Sequence, residues 1–340
     1  MKISAKRNWV ILVILLALTP LTLIIKLNNG VGRTDGYKKF LEGNEQDKSQ
    51  PSYINNISIN NISNDSNANT RLDKGVVVLM FHNVKPGTAL SPEKFRETLH
   101  LLKINHYNPI SLATFHSYLE GWGEVPPRAV LFTFDDGYQD NYQYAAPILR
   151  EFQYPAVVFP VMKWFSPYPR RDVDKSGRPA YQPHLTIAEL QDMVKNGWEV
   201  GGHSYDGHWL VPVDPEGKER IPFLKGRMWL AGRGRLESEN EYEARVWSDI
   251  MLMKAQMLEL GLPTTDFAFP YGAYNNKLLG MLKQAGFKYF YTTEAGINLP
   301  GQELIYRVAV KSDPQETLKA IEKRYLTQKL SALATVSVSR

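Results

Sequence analysis

Cysteine is absent from this 340-residue chain. That absence excludes disulfides, thiolate metal sites, a lipid-modified cysteine and a cysteine nucleophile. A strong charge of either sign is also lacking. Forty Lys and Arg stand against 35 Asp and Glu, a formal net charge of +5. The excess is spread without a dense basic stripe, so it suits work near an anionic surface and does not argue for nucleic acid. Histidine is scarce: seven in all, none after His208. No repeat of solenoid length is visible.

One long hydrophobic run is present. Lys2, Lys6 and Arg7 precede "WVILVILLALTPLTLII", residues 9–25, which carries no charge. At about 1.5 Å per residue it approaches the thickness of a bilayer core. A cleaved signal peptide is the rival reading, but the following "KLNNGVGR" offers no small-x-small cleavage site. The expectation is an uncleaved transmembrane anchor over 9–26, with 1–8 cytoplasmic and the rest outside. Residues 27–74 are rich in Asn, Ser, Asp and Gly. So polar a stretch buries too little surface to offset its ordering entropy, and it reads as a flexible stalk. The folded domain is expected over 75–328, with 329–340 as a tail.

Within that domain the hydrophobic periodicity alternates. "GVVVLMFHNV", "AVLFTFDD", "YPAVVFPV", "WEVGGHS", "DFAFPYG", "FKYFYTT" and "ELIYRVAV" read as strands. Between or after them "SPEKFRETLHLLKIN", "DNYQYAAPILREF", "TIAELQDMVKNG", the stretch 239–260, "NNKLLGMLKQAG" and "PQETLKAIEKRYL" read as helices. That rhythm predicts an α/β fold of parallel strands, either a barrel or an open sheet. Polar residues fall at the strand ends: His82, then Asp135 and Asp136, then His203, then Tyr271 and Gly272. In a parallel barrel those ends form one rim, where chemistry sits.

"TFDDGYQDNY" places two adjacent carboxylates at the inner end of an apolar strand. Burying an unpaired carboxylate is costly. "GGHSYDGH" supplies His203 and His208, five apart. Residues i and i+4 share a helix face, whereas a step of five after two glycines suits a loop folding back. An isolated pair of histidines is more often surface or cap material. Beside Asp-Asp-Gly, two imidazoles and a carboxylate can bind one face of a divalent ion and leave positions for water and substrate. One carboxylate then ligates, and the other accepts a proton from a water acidified by the ion.

These residues resemble the polysaccharide deacetylase family of carbohydrate esterases. "TFDDG", "HSYDGH" and "FPYG" stand in the family's order, and the resemblance spans roughly residues 76–307. It implies a distorted (β/α)7 barrel and metal-dependent removal of N-acetyl groups from a polysaccharide. Carried over, Asp135 is the catalytic base and Asp136, His203 and His208 are the metal ligands. The backbone N–H of Tyr271 stabilises the oxyanion. Zinc is the family's usual ion, and the facial set also suits Co2+, Ni2+ or Fe2+.

Three departures are informative. The step of five between the histidines looks like the branch acting on poly-β-1,6-N-acetylglucosamine, which implies that polymer as substrate and polysaccharide synthesis and export proteins as partners. The arginine that usually precedes the Pro-Tyr motif is not evident in "FAFPYG". The family's C-terminal histidine acid is also missing, and "LMFHNV", similar to the Met-Tyr-His segment of that branch, assigns the acid role to His82. His100, His106, His116 and His184 read as structural or surface residues. Trp164, Tyr168, Tyr181, Trp209 and Trp229 are candidates for stacking on sugar rings. Arg233 and Arg235, in an insertion after the metal loop, are either contacts to acidic polymer or solvated. A peptidoglycan N-acetylglucosamine deacetylase and a non-catalytic carbohydrate-binding relative stay open. A metal-free glycosidase leaves the two histidines without a role, and adjacent residues rarely give the ~5 Å or wider carboxyl separation it needs.

Overall fold

The computed structural model describes residues 75–338 apart from 166–170, 174–178 and 182. The expected anchor and stalk, Tyr168 and the side chain of Tyr181 lie outside the described residues. Among the described residues no helix is long and apolar enough to cross a membrane.

The first strand, β1 (Val76–Phe81), is buried along its whole length. After α1 (Pro92–Ile104) come β2 (Asn108–Pro109), α2 (Leu112–Leu119) and β3 (Ala129–Asp136). A π-helical turn then leads into α3 (Ala146–Phe152) and β4 (Ala156–Pro160). The hairpin β5 (Arg171–Val173) and β6 (Pro179–Tyr181) precedes α4 (Ile187–Lys195) and β7 (Trp198–Val200). The insertion folds as two antiparallel pairs, β8 (Leu210–Pro212) with β9 (Arg220–Pro222) and β10 (Trp229–Leu230) with β11 (Arg235–Leu236). The long α5 (Glu239–Glu259), β12 (Asp266–Ala268), α6 (Asn276–Gln284), β13 (Tyr289–Tyr291), β14 (Leu304–Ile305), β15 (Val308–Ala309) and α7 (Pro314–Val338) complete the chain. The last helix continues past 328 into the stretch 329–340 that was expected as a tail.

Local chemistry sets the helix starts. Ser91 caps α1, with Pro92 at its first turn, and Thr186 and Ser238 open α4 and α5 with capping boxes to Glu189 and Glu241. The strands pair in parallel in the order β15-β1-β3-β4-β7, and β12-β13-β14 form a second sheet. Two seams join them. Gly202 bridges Phe267 in parallel, and only Tyr306 and Arg307 separate β14 from β15. The stretch 304–309 therefore serves both sheets, and the circuit closes through seven strand positions. Inside it lie Val76, Val78, Leu131, Val157, Phe159, Ala268 and Tyr291. The unforeseen α2 closes the bottom with Leu112, Phe115 and Tyr118. At the first seam Gly201 meets Phe159 so closely that a Cβ would fall 2.1 Å from the ring. Gly201→Ala is therefore expected to destabilise the domain by about 1–3 kcal/mol, read as a lower melting temperature.

Candidate metal centre

The upper ends of five strand positions supply the site. Parallel pairing of β1, β3, β4 and β7 brings the carboxyl ends of these strands to one side. Along β3, Leu131 belongs to the inner cluster and Phe132 and Phe134 to the outer one, so alternation sends Asp135 inward and would send Asp136 outward. The backbone corrects this. Asp136 adopts φ 73 and Gly137 φ 72, which bends the chain so that both carboxylates face the mouth. A left-handed aspartate is a strained feature of the kind that clusters at functional sites. Gly137 has no alternative, because a Cβ there would lie 2.8 Å from Pro160 Cβ.

Asp136, His203 and His208 converge. Asp136 Oδ1 lies 3.3 Å from His203 Nε2 and 3.2 Å from His208 Nε2, and one ligand atom from each residue falls within 4.8 Å of the others. Two atoms bound ~2.1 Å from one ion stand roughly 3.0–3.4 Å apart between right-angled and tetrahedral geometry. The residues fit a divalent cation on two further grounds. Asp136 Oδ1 is buried and has no hydrogen-bond partner among the described residues. His203 Nδ1–H donates to the Ala268 carbonyl at 2.7 Å, which leaves the Nε2 lone pair directed at the cluster.

The electrostatics ask for positive charge at the same point. Burial pushes Asp136 up, but the charges of His208, His203 and His82 outweigh it and hold the carboxyl well below its usual range. Burial pushes His203 down, yet Asp136 and Asp135 leave it raised. A bound cation satisfies both tendencies.

Asp135 has a different partner. Arg307, fully buried, grips it with two hydrogen bonds, Nη1 to Oδ1 at 2.7 Å and Nη2 to Oδ2 at 2.8 Å. Arg307 Nε also donates to the Thr292 carbonyl at 2.8 Å. Burial raises the Asp135 pKa, but Arg307 first, then His203 and His82, bring it below the ordinary value. The arginine missing before the Pro-Tyr motif is thus replaced from the last strand position. Sequence reading missed it, although an arginine amid "LIYRVAV" was a signal in itself.

His82 sits at the end of β1 with its side chain exposed. It lies close enough for its charge to act on both aspartates. Its carbonyl accepts from Asn141 Nδ2 at 2.8 Å, and Asp140 receives the Val84 N–H at 3.0 Å and Asn83 Nδ2 at 2.8 Å. The stretch after the twin aspartates therefore holds the His82 loop, a function that sequence reading did not assign. Tyr271 turns at φ 60 with its ring centroid 4.5 Å from that of His208.

The remaining candidates separate. Trp164 is buried edge-on against His184 and His208 and forms a wall, not an exposed sugar platform. Trp209 stacks on Phe223, and Trp229 is half-buried in β10. Arg233 and Arg235 are both paired with Glu241. His184 is buried against Tyr138 and Trp164. His100 packs on Phe152, His106 occupies a left-handed turn, and His116 binds Asp266 at 2.9 Å.

Residues 123–290 match the family model described as polysaccharide deacetylase. Over 263 residues the chain is 27% identical to the poly-beta-1,6-N-acetyl-D-glucosamine N-deacetylase of Escherichia coli (strain K12), an alignment covering 74% of this chain and 39% of that protein. The chain thus spans about two fifths of the length of that relative. A solved de-N-acetylase from Aggregatibacter actinomycetemcomitans superposes with a TM-score of 0.64 at 25% identity, covering 72% of this chain and 98% of the other. The deacetylase domain of BpsB from Bordetella bronchiseptica gives 0.62 at 27% identity, covering 70% and 96%.

Proposed function

We propose that this chain, whose residues 123–290 match the polysaccharide deacetylase family model, is a metal-dependent hydrolase removing acetyl groups from an N-acetylglucosamine polymer, poly-β-1,6-N-acetylglucosamine in particular. One observation carries the reading. An Asp-His-His cluster with cation spacing lies beside a second aspartate held by a buried arginine. The polymer linkage is supported by the similarity to the Escherichia coli enzyme of that name.

Asp136, His203 and His208 hold the ion, for which zinc is the first choice and Co2+, Ni2+ or Fe2+ also suit the donor set. When bound, the cation acidifies water and polarises the amide carbonyl. Asp135 accepts the proton of the attacking water, and Arg307 keeps that carboxylate ionised and aimed. The Tyr271 backbone N–H donates to the developing oxyanion. His82 gives a proton to the departing nitrogen, so the C–N bond breaks to acetate and a free amine. The uncharged run over 9–25 behind Lys2, Lys6 and Arg7 supports a membrane-tethered domain on the extracytoplasmic side, and the proposed polymer implies synthesis and export proteins as partners.

The test is acetate release from β-1,6-linked N-acetylglucosamine oligomers and from isolated peptidoglycan. Release from the oligomers, abolished by chelation and restored by Zn2+, is expected. Preference for the cell wall would move the substrate to peptidoglycan. Binding of polymer with no turnover in added metal would make the protein a carbohydrate-binding relative.

A further inference from the structure

His203 and His208 are joined by four residues that form neither helix nor strand, "SYDG". A step of five in such a loop has no regular hydrogen-bond ladder to hold its two ends at ligand spacing, so the hold must come from outside. On one side the carbonyls of Ser204 and Tyr205 accept from Met162 N–H at 3.1 Å and Lys163 N–H at 2.8 Å. On the other, a single carboxylate takes both amides that point away. Asp249 Oδ2 accepts the Tyr205 N–H and Oδ1 the Asp206 N–H, each at 2.9 Å. Asp249 projects from the middle of α5 and is buried. Gly207 completes the fastening, since a Cβ there would come 2.9 Å from Leu224 Cδ2.

We propose that Asp249 is a positioning residue for the metal centre, its two-point grip on the Tyr205 and Asp206 amides setting the distance between the two imidazole ligands. The inference rests on the metal-site reading above. Among the described residues Asp249 stands outside the candidate ligand cluster and its hydrogen bonds go to the Tyr205 and Asp206 amides, not to either histidine. Its position is costly for stability alone: burial pushes its carboxyl up to about 6 even though the two amide bonds pull it down, with Asp206 and Arg245 as the charged neighbours. A neutral amide would avoid that cost, but its NH2 end would face one of the two N–H groups that Asp249 receives on separate oxygens. Outer partners of this kind typically govern metal affinity ten- to hundredfold.

The experiment titrates the metal-free full chain with Zn2+ against a chromophoric chelator, so that the readout is affinity and not turnover. Asp249→Asn is compared with Met257→Ala, a buried position eight residues further along α5, and with His208→Ala. Asp249→Asn is expected to weaken Zn2+ binding about ten- to hundredfold, because its amide can accept only one of the two N–H groups. Met257→Ala is expected to lower the melting temperature with affinity unchanged. An Asp249→Asn affinity within about twofold of wild type, with His208→Ala defective, overturns the positioning role alone. So does an equal loss in Met257→Ala. Wild-type affinity in His208→Ala overturns the metal site and the positioning role together.

Discussion

Asp135→Asn is expected to lower acetate release by at least about a hundredfold, the usual scale of a general base, with the content of the proposed metal unchanged. The substitution keeps the size of the side chain and leaves Arg307 an amide oxygen to bond, in place of the paired contacts at 2.7 and 2.8 Å. It removes the ability to take a proton, together with the charge and one of the two acceptors facing Arg307, so a fall in melting temperature is expected beside the loss of activity. Acetate assay and metal analysis on the same preparation separate the outcomes. Release within a few-fold of wild type places the base elsewhere. A parallel loss of bound metal makes Asp135 part of the ligand set, contrary to its pairing with Arg307.

Arg307→Met should cost about 3–5 kcal/mol of stability, the usual penalty for stripping one partner from a buried ion pair. For a domain of this size that corresponds to a fall in melting temperature of roughly 10 °C. The pH dependence carries a sign. In the wild type the Asp135 pKa lies below 3.8, so its contribution is fully present above that value and is lost as the pH falls through the folded pKa. Without Arg307 the burial penalty on the carboxylate loses its main counterweight, and the pKa rises. A proton is then held more tightly by the folded than by the unfolded state, and this group's contribution falls as the pH rises through 3.8 and up to the raised value. The acid limb of the acetate-release profile should move to higher pH as well. Thermal melts of both proteins across pH 4–8 check the sign. A constant difference between the two curves would show that the pair is not what holds Asp135 ionised.

Much of the architecture could be read directly. The strand "AVLFTFDD" is β3 to the residue, and α1, α4 and α5 start within a residue of where expected, behind the Ser91, Thr186 and Ser238 caps that the structure shows. Such elements are written locally, in side-chain period and cap chemistry. The helix α2 also carries a local signal, the Ser111 cap, whereas its role, closing the barrel floor, depends on packing with strands far along the chain. The split of "ELIYRVAV" into β14 and β15 likewise reflects a strand that changes partners between two sheets.

The same division holds for the site. Asp135, Asp136, His203 and His208 stand in short motifs, and residue type with spacing was enough to nominate them and the chemistry they suit. Arg307 lies 172 positions from Asp135, and both it and His82 fall outside the matched stretch 123–290. Asp249 sits 43 positions beyond the Asp206 amide that it holds. A partner at that distance leaves no periodic trace, because it is chosen by where strands and helices end in space. Sequence alone therefore determined the α/β fold class and nominated the candidate donor residues. Tertiary structure decided how they are held, since buried charges and loop amides take whatever compensating group the closed barrel brings within reach.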